Sequence, residues 1–63
     1  MKHRVIAKVT RNDGRVFEDR TEHKTYGDAM HRYNELVHLI REREQTGEIT
    51  DWELNIETVW GIA

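Results

Sequence analysis

The stretch RVIAKVTRNDGRVFEDRT, residues 4–21, decides the fold. Val5, Ala7 and Val9 alternate with Ile6, Lys8 and Thr10, which is the two-residue period of a half-buried strand. The run then breaks at Asn12, Asp13 and Gly14, residues that tolerate turn geometry and, at glycine, positive φ. Two loop lengths compete. A two-residue Asp-Gly loop pairs Val9 with Glu18 and Thr10 with Phe17, mixing apolar with polar on each face. A three-residue Asn-Asp-Gly loop pairs Val9 with Phe17 and Lys8 with Glu18. That register gives one apolar and one oppositely charged pair, each worth roughly 0.2–1 kcal/mol. The three-residue loop is therefore expected, with the second strand running from about Arg15 to Thr21.

Outward from the hairpin, the next element is helical. Thr25 is placed as an N-cap with Asp28 at the third helical position. Tyr26, Met30, Tyr33, Val37 and Ile40 recur at steps of three and four, with Ala29 and Leu36 beside them. Gly47 is the expected stop. A helix of about 20 residues is ~30 Å long, enough to cross a small sheet. From Ile49 to about Trp60 the period returns to two: Trp52, Leu54 and Ile56 point one way, and Asp51, Glu53, Asn55 and Glu57 the other. The order is ββαβ, and right-handed crossover rules return the third strand parallel to the second. Placing it beside the first gives an antiparallel three-stranded sheet of order 2-1-3, an α+β fold with one helix on one face. The expected core is Val5, Ala7, Val9, Phe17, Met30, Tyr33, Val37, Ile40, Trp52, Leu54 and Ile56.

The chain has 63 residues, so one domain over residues 1–63 is expected, near the lower limit for independent folding. Small scaffolds usually add a disulfide, a metal or an association. Without cysteine, disulfides and thiolate zinc sites are excluded, and a reducing compartment, the cytoplasm, is expected. MKHRVIAKVTR alternates instead of forming an apolar run, so neither a leader peptide nor a membrane span is read there. The net charge of −2 hides a gradient. Residues 1–24 carry seven Lys or Arg against four acids, while residues 48–63 carry four acids and no base. The 2-1-3 order sets Glu53 and Glu57 near Lys8 and Arg4, which accounts for the gradient within one chain.

Several constellations bear on chemistry. His31, Glu35 and His38 lie at spacings of four and three on one helix face, with Glu42 a turn beyond. That face is opposite Met30, Tyr33 and Val37, where nothing dry would surround a metal, so no metal and no other cofactor is expected. The chain has neither Cys nor Ser, its threonines lack a convincing base, and its four glycines are too scattered for a phosphate loop. An enzyme is not expected. The basic hairpin, with Lys8, Arg11 and Arg15, could touch nucleic-acid phosphates or a major groove. Glu18, Asp19 and Glu22 are interleaved with those bases, so a DNA- or RNA-binding regulator is the second reading.

TYGDAMHRYNELV, residues 25–37, resembles the opening T-Y-acid-A-x-x-x-Y-x-x-L of many short reading frames of bacteriophages and bacteria. The resemblance implies a small phage accessory protein, of a kind that often binds and diverts a host factor. It assigns no residue a role.

The chain finishes on Val59, Trp60, Gly61, Ile62 and Ala63, an apolar run with no charge to solvate it. Leu39 lies about 120° from the centre of the helical stripe and, with Arg43, Leu36 and Arg32, forms a second flank. Several exposed apolar groups together mark an interface. Leu39, Arg43, Val59, Trp60 and Ile62 are therefore the expected contact residues of a non-enzymatic, homodimeric protein-interaction module, an inhibitor or adaptor of another protein. The acidic third strand discourages self-pairing, which leaves the mixed-charge hairpin edge or the apolar tail as the contact. A dimer whose cleft sequesters a small ligand is a third reading.

Overall fold

In a computed structural model, which describes residues 1–60, the chain runs β1 (Lys2–Arg11), β2 (Val16–His23), α1 (Tyr26–Gln45) and β3 (Ile49–Val59). The three strands form one antiparallel sheet of order β2-β1-β3, with α1 packed on one face. This is the ββαβ, α+β arrangement the alternation implies.

The hairpin takes the three-residue loop. Val9 stands opposite Phe17 and Lys8 opposite Glu18. The Arg11 N–H donates to the Arg15 carbonyl at 2.8 Å, and the Gly14 N–H donates to the Arg11 carbonyl at 2.9 Å. Gly14 has φ 86°, the left-handed conformation that this turn-plus-bulge requires at its last loop residue. Strand β3 pairs with β1 so that Glu53 faces Lys8 and Glu57 faces Arg4. Lys8 thus lies between Glu18 and Glu53, and Arg4 between Glu22 and Glu57. On the helix-free face each of these two bases stands between acids of the neighbouring strands, so the charge gradient along the sequence is balanced across the sheet.

Both helix ends are capped as their residues dictate. The Thr25 hydroxyl accepts from the Asp28 N–H at 3.1 Å. At the other end the Gly47 N–H reaches the Glu44 carbonyl at 3.1 Å and the Glu48 N–H reaches the Arg43 carbonyl at 3.0 Å. That pair of crossed bonds is a Schellman motif, and Gly47, at φ 81°, supplies its left-handed residue.

The core lies between α1 and the strands β1 and β3. Val5, Ala7, Ala29, Leu36, Ile40, Ile49 and Leu54 are buried, with Val9, Tyr33, Val37, Trp52 and Ile56 half-buried around them. Three expectations need correction. Phe17 is not core: it is 48% exposed. Met30 is only half-buried and Tyr26 is exposed, because the buried stripe runs through Ala29, Leu36 and Ile40 and is rotated toward the Leu39 side. Val59, expected on the helix-free face near Ile6 and Val16, stands opposite Lys2, whereas Ile6 faces Asn55 and Thr10 faces Val16.

One cause explains the first two corrections. On the helix side of the sheet β3 offers Trp52, Leu54 and Ile56, but β2 offers Phe17, Asp19, Thr21 and His23. A helix maximises apolar burial by sitting over β1 and β3, and the polar inner face of β2 has little to hold it. The helix turns its Leu36 side downward as it shifts, and β2 is left open.

The inner-face phase also buries His3, at 7% exposure. Its Nδ1 lies 3.1 Å from the Thr58 hydroxyl, and the Tyr26 ring meets it edge-on with centroids 5.6 Å apart. A buried imidazole needs such partners to offset its lost hydration.

Candidate protein-interaction groove

The displacement of α1 opens a groove between the helix and β2. Its floor and walls are apolar, formed by Val9, Phe17, Leu36, Leu39, Ile40 and Ile49, and its upper part has a volume of about 180 Å³. Glu18, Asp19 and Arg43 form the rim, and the groove continues past Phe17 toward Arg11 and Glu48. Leu39 is 46% exposed at one wall and Phe17 lies across from it on β2. The Arg11 guanidinium sits 5.9 Å from the Phe17 ring centre, a cation–π approach that fixes the ring at the groove's end.

Charge is distributed unevenly along the rim. Asp19 is bound by Arg32 Nη2 at 3.2 Å, and this ion pair spans α1 and β2 and bounds the groove on one side. Glu18 is held by Arg20 at 2.6 Å. Among the described residues Arg11 and Arg43 have no carboxylate within ion-pair distance, so positive charge at the far end remains available to a partner.

Of the contact residues expected from sequence, the fold brings Leu39 and Arg43 together in this groove. Val59 is half-buried at the end of β3, and Trp60 follows it at 71% exposure, on the edge away from β2. The groove and the Trp60 surface are therefore separate features, and Ile62 lies outside the described residues. Phe17 is the groove residue that sequence reasoning assigned elsewhere, having been matched to Val9 as a core pair.

The other constellations fall as follows. His31 Nε2 lies 2.8 Å from Glu35 Oε1 on an exposed helix face, and His38 is also exposed. No cluster of three metal-ligating side chains occurs among the described residues. For the nucleic-acid reading, Lys8 is flanked by Glu18 and Glu53, and Arg15 pairs with Asp13 at 3.6 Å. Arg11 lies against Phe17 in the groove. No described helix is long and apolar enough to cross a membrane.

No protein-family model matches this chain, and no match is found among the curated proteins or the solved structures. The described residues form a small α+β unit whose sheet has two edge strands, β2 and β3, with an apolar groove beside β2.

Proposed function

We propose that this chain is a homodimeric protein-interaction module with no chemistry of its own, acting as an inhibitor or adaptor of another protein. The observation that carries the reading is the open groove between α1 and β2. A domain this small has little apolar surface to spare, yet Phe17 and Leu39 stand half exposed across a preformed channel. Exposed apolar side chains gathered at one concave place are the common signature of a docking site. The partner it suits is a protein segment with an apolar anchor for the channel and a carboxylate to meet Arg43 and Arg11. The resemblance of residues 25–37 to short phage and bacterial reading frames is in keeping with a host-directed inhibitor. Cross-strand carboxylates around Lys8 and Arg4 weigh against a nucleic-acid role for the hairpin.

The test is capture from the native host with wild-type protein and the Leu39→Glu variant, in parallel with circular dichroism of both. A charge in the channel should weaken capture of the specific partner at least roughly tenfold while helix content stays unchanged, since a desolvated carboxylate is costly. A folded Leu39→Glu protein that retains the same partners as wild type would sink the groove reading. Partners displaced by nucleases or by moderate salt would transfer the function to the hairpin.

A further inference from the structure

From the order of charges along β2 we infer that this strand is the self-pairing edge of the protein: two copies join through antiparallel β2 strands about a two-fold axis at Thr21. This rests on the homodimeric part of the reading above and names the surface and register it uses.

Every residue of β2 except Thr21 and His23 is exposed, and α1, standing over β1 and β3, leaves space above it for a second copy. The backbone is also in the right phase. The Arg11 N–H bonds the Arg15 carbonyl, and antiparallel ladders alternate, so Phe17, Asp19, Thr21 and His23 bond β1. The N–H and C=O groups of Val16, Glu18, Arg20 and Glu22 then point outward, unpaired.

Charged edge strands usually deter pairing, so the register decides whether the charges of β2 repel or attract a second copy. Across a two-fold axis, opposed residues share a face, and each candidate axis makes a definite set of pairs. An axis at Asp19 opposes the two Asp19 carboxylates. An axis at Arg20 opposes the two Arg20 guanidinia and sets Glu18 against Glu22 of the partner subunit twice. An axis at Phe17 joins only three residues of each strand. With the axis at Thr21, Arg20 faces Glu22 of the partner subunit, Asp19 faces the partner's His23, and Glu18 faces the partner's Lys24. The symmetry repeats each pair, and no like charges meet. Arg20 and Glu22 are also outward-pointing residues, so they exchange both backbone hydrogen bonds across the seam.

The opposite edge offers no equivalent. Residues 48–63 hold no Lys or Arg, and an axis at Asn55 would set Glu53 against the same-sign Glu57 of the partner subunit. The β2 contact joins two three-stranded sheets into one of six strands, with both helices on the same face.

The absence of cysteine makes the test direct. Thr21 meets its symmetry mate at a non-hydrogen-bonded site, where Cα atoms lie about 4.5 Å apart, within disulfide range. Thr21→Cys should form a covalent dimer under mild oxidation at micromolar concentration, and Asn55→Cys, at the axis a β3 pairing would use, should not. In addition, Arg20→Glu and Glu22→Arg should each weaken self-association at least about tenfold, because each replaces two attractive pairs with two repulsive ones. Mixed together they should form a one-to-one heterodimer, in which every pair is again of opposite sign. Circular dichroism establishes that each variant is folded alone. A dimeric wild type that cross-links through Asn55→Cys and not Thr21→Cys overturns the β2 assignment and leaves the homodimer standing. A wild type that stays monomeric at hundreds of micromolar overturns both.

Discussion

At the residue scale, two bases on the helix-free face share one carboxylate. Arg4 Nε donates to Glu22 Oε1 at 3.1 Å, and Lys2 Nζ approaches Glu22 Oε2 at 3.5 Å. The Arg4 hydrogen bond, and then the Lys2 charge, hold the Glu22 carboxyl below its ordinary pKa. A carboxyl with a lowered folded-state pKa adds stability above its unfolded-state pKa, and that contribution is lost as pH falls through the folded-state value. The group is fully exposed, so solvent screening keeps the effect small. Denaturant midpoints measured from pH 6 down to pH 3 should therefore fall slightly less for Glu22→Gln than for wild type. Equal slopes would mean that the ion pair contributes nothing in solution. His3 illustrates what the sequence held at this scale without its being read. Positions 5, 7 and 9 fix the inner phase of β1, and the same phase carried back two residues buries the imidazole beside Thr58. The signal was the parity of position 3; polarity hid it, since histidine is as common outside as inside.

Among the secondary-structure elements, the hairpin loop and both helix caps were legible because each is fixed by local chemistry. Asn12-Asp13-Gly14 dictates the loop, Thr25 the start of α1, and Gly47 its end. The azimuth of the helix was not legible from its own stripe. Tyr26 and Met30 fit the three-and-four spacing as well as Ala29 and Leu36 do, and only the polar inner face of β2 decides between them. Reading Asp19, Thr21 and His23 as inward-facing would have shown that one side of the sheet could not hold the helix. Two glycines in these elements give a paired prediction. An added Cβ meets nothing within 4 Å at either Gly47 or Gly27, so backbone conformation alone sets the outcome. Gly47→Ala places a side chain at φ +81° and should destabilise by about 1 kcal/mol. Gly27→Ala, in the first turn of α1, should stabilise by up to about 1 kcal/mol through the unfolded chain's lost freedom. Urea midpoints moving in the same direction for both would refute this account.

For the whole molecule, the core among the described residues comprises seven buried side chains, and two of them are alanines. The candidate site was half legible for a related reason. Leu39 and Arg43 are legible from their angle on the helix, whereas Phe17, opposite Val9, reads as core from sequence; one helix covers too little of the sheet to bury β2 as well. At roughly 0.05–0.15 kcal/mol per residue, a domain of this length has about 3–9 kcal/mol of total stability. Ile40, 4% exposed at the centre of the helical stripe, is the side chain whose removal tests how that total is made up. An isoleucine truncated to alanine in a core costs about 2–5 kcal/mol, much of what an isolated copy would possess. If folding is linked to self-association, the remainder must come from the second copy, and stability then rises with protein concentration. Ile40→Ala should thus melt at a temperature that climbs by several degrees between 5 and 500 μM, with the wild type climbing in parallel from a higher starting point. The same variant carrying Arg20→Glu should lose the concentration dependence and be largely unfolded at the lower end. A melting temperature of Ile40→Ala that does not move over that range would mean that the single copy carries its whole stability, and that association adds nothing to the fold.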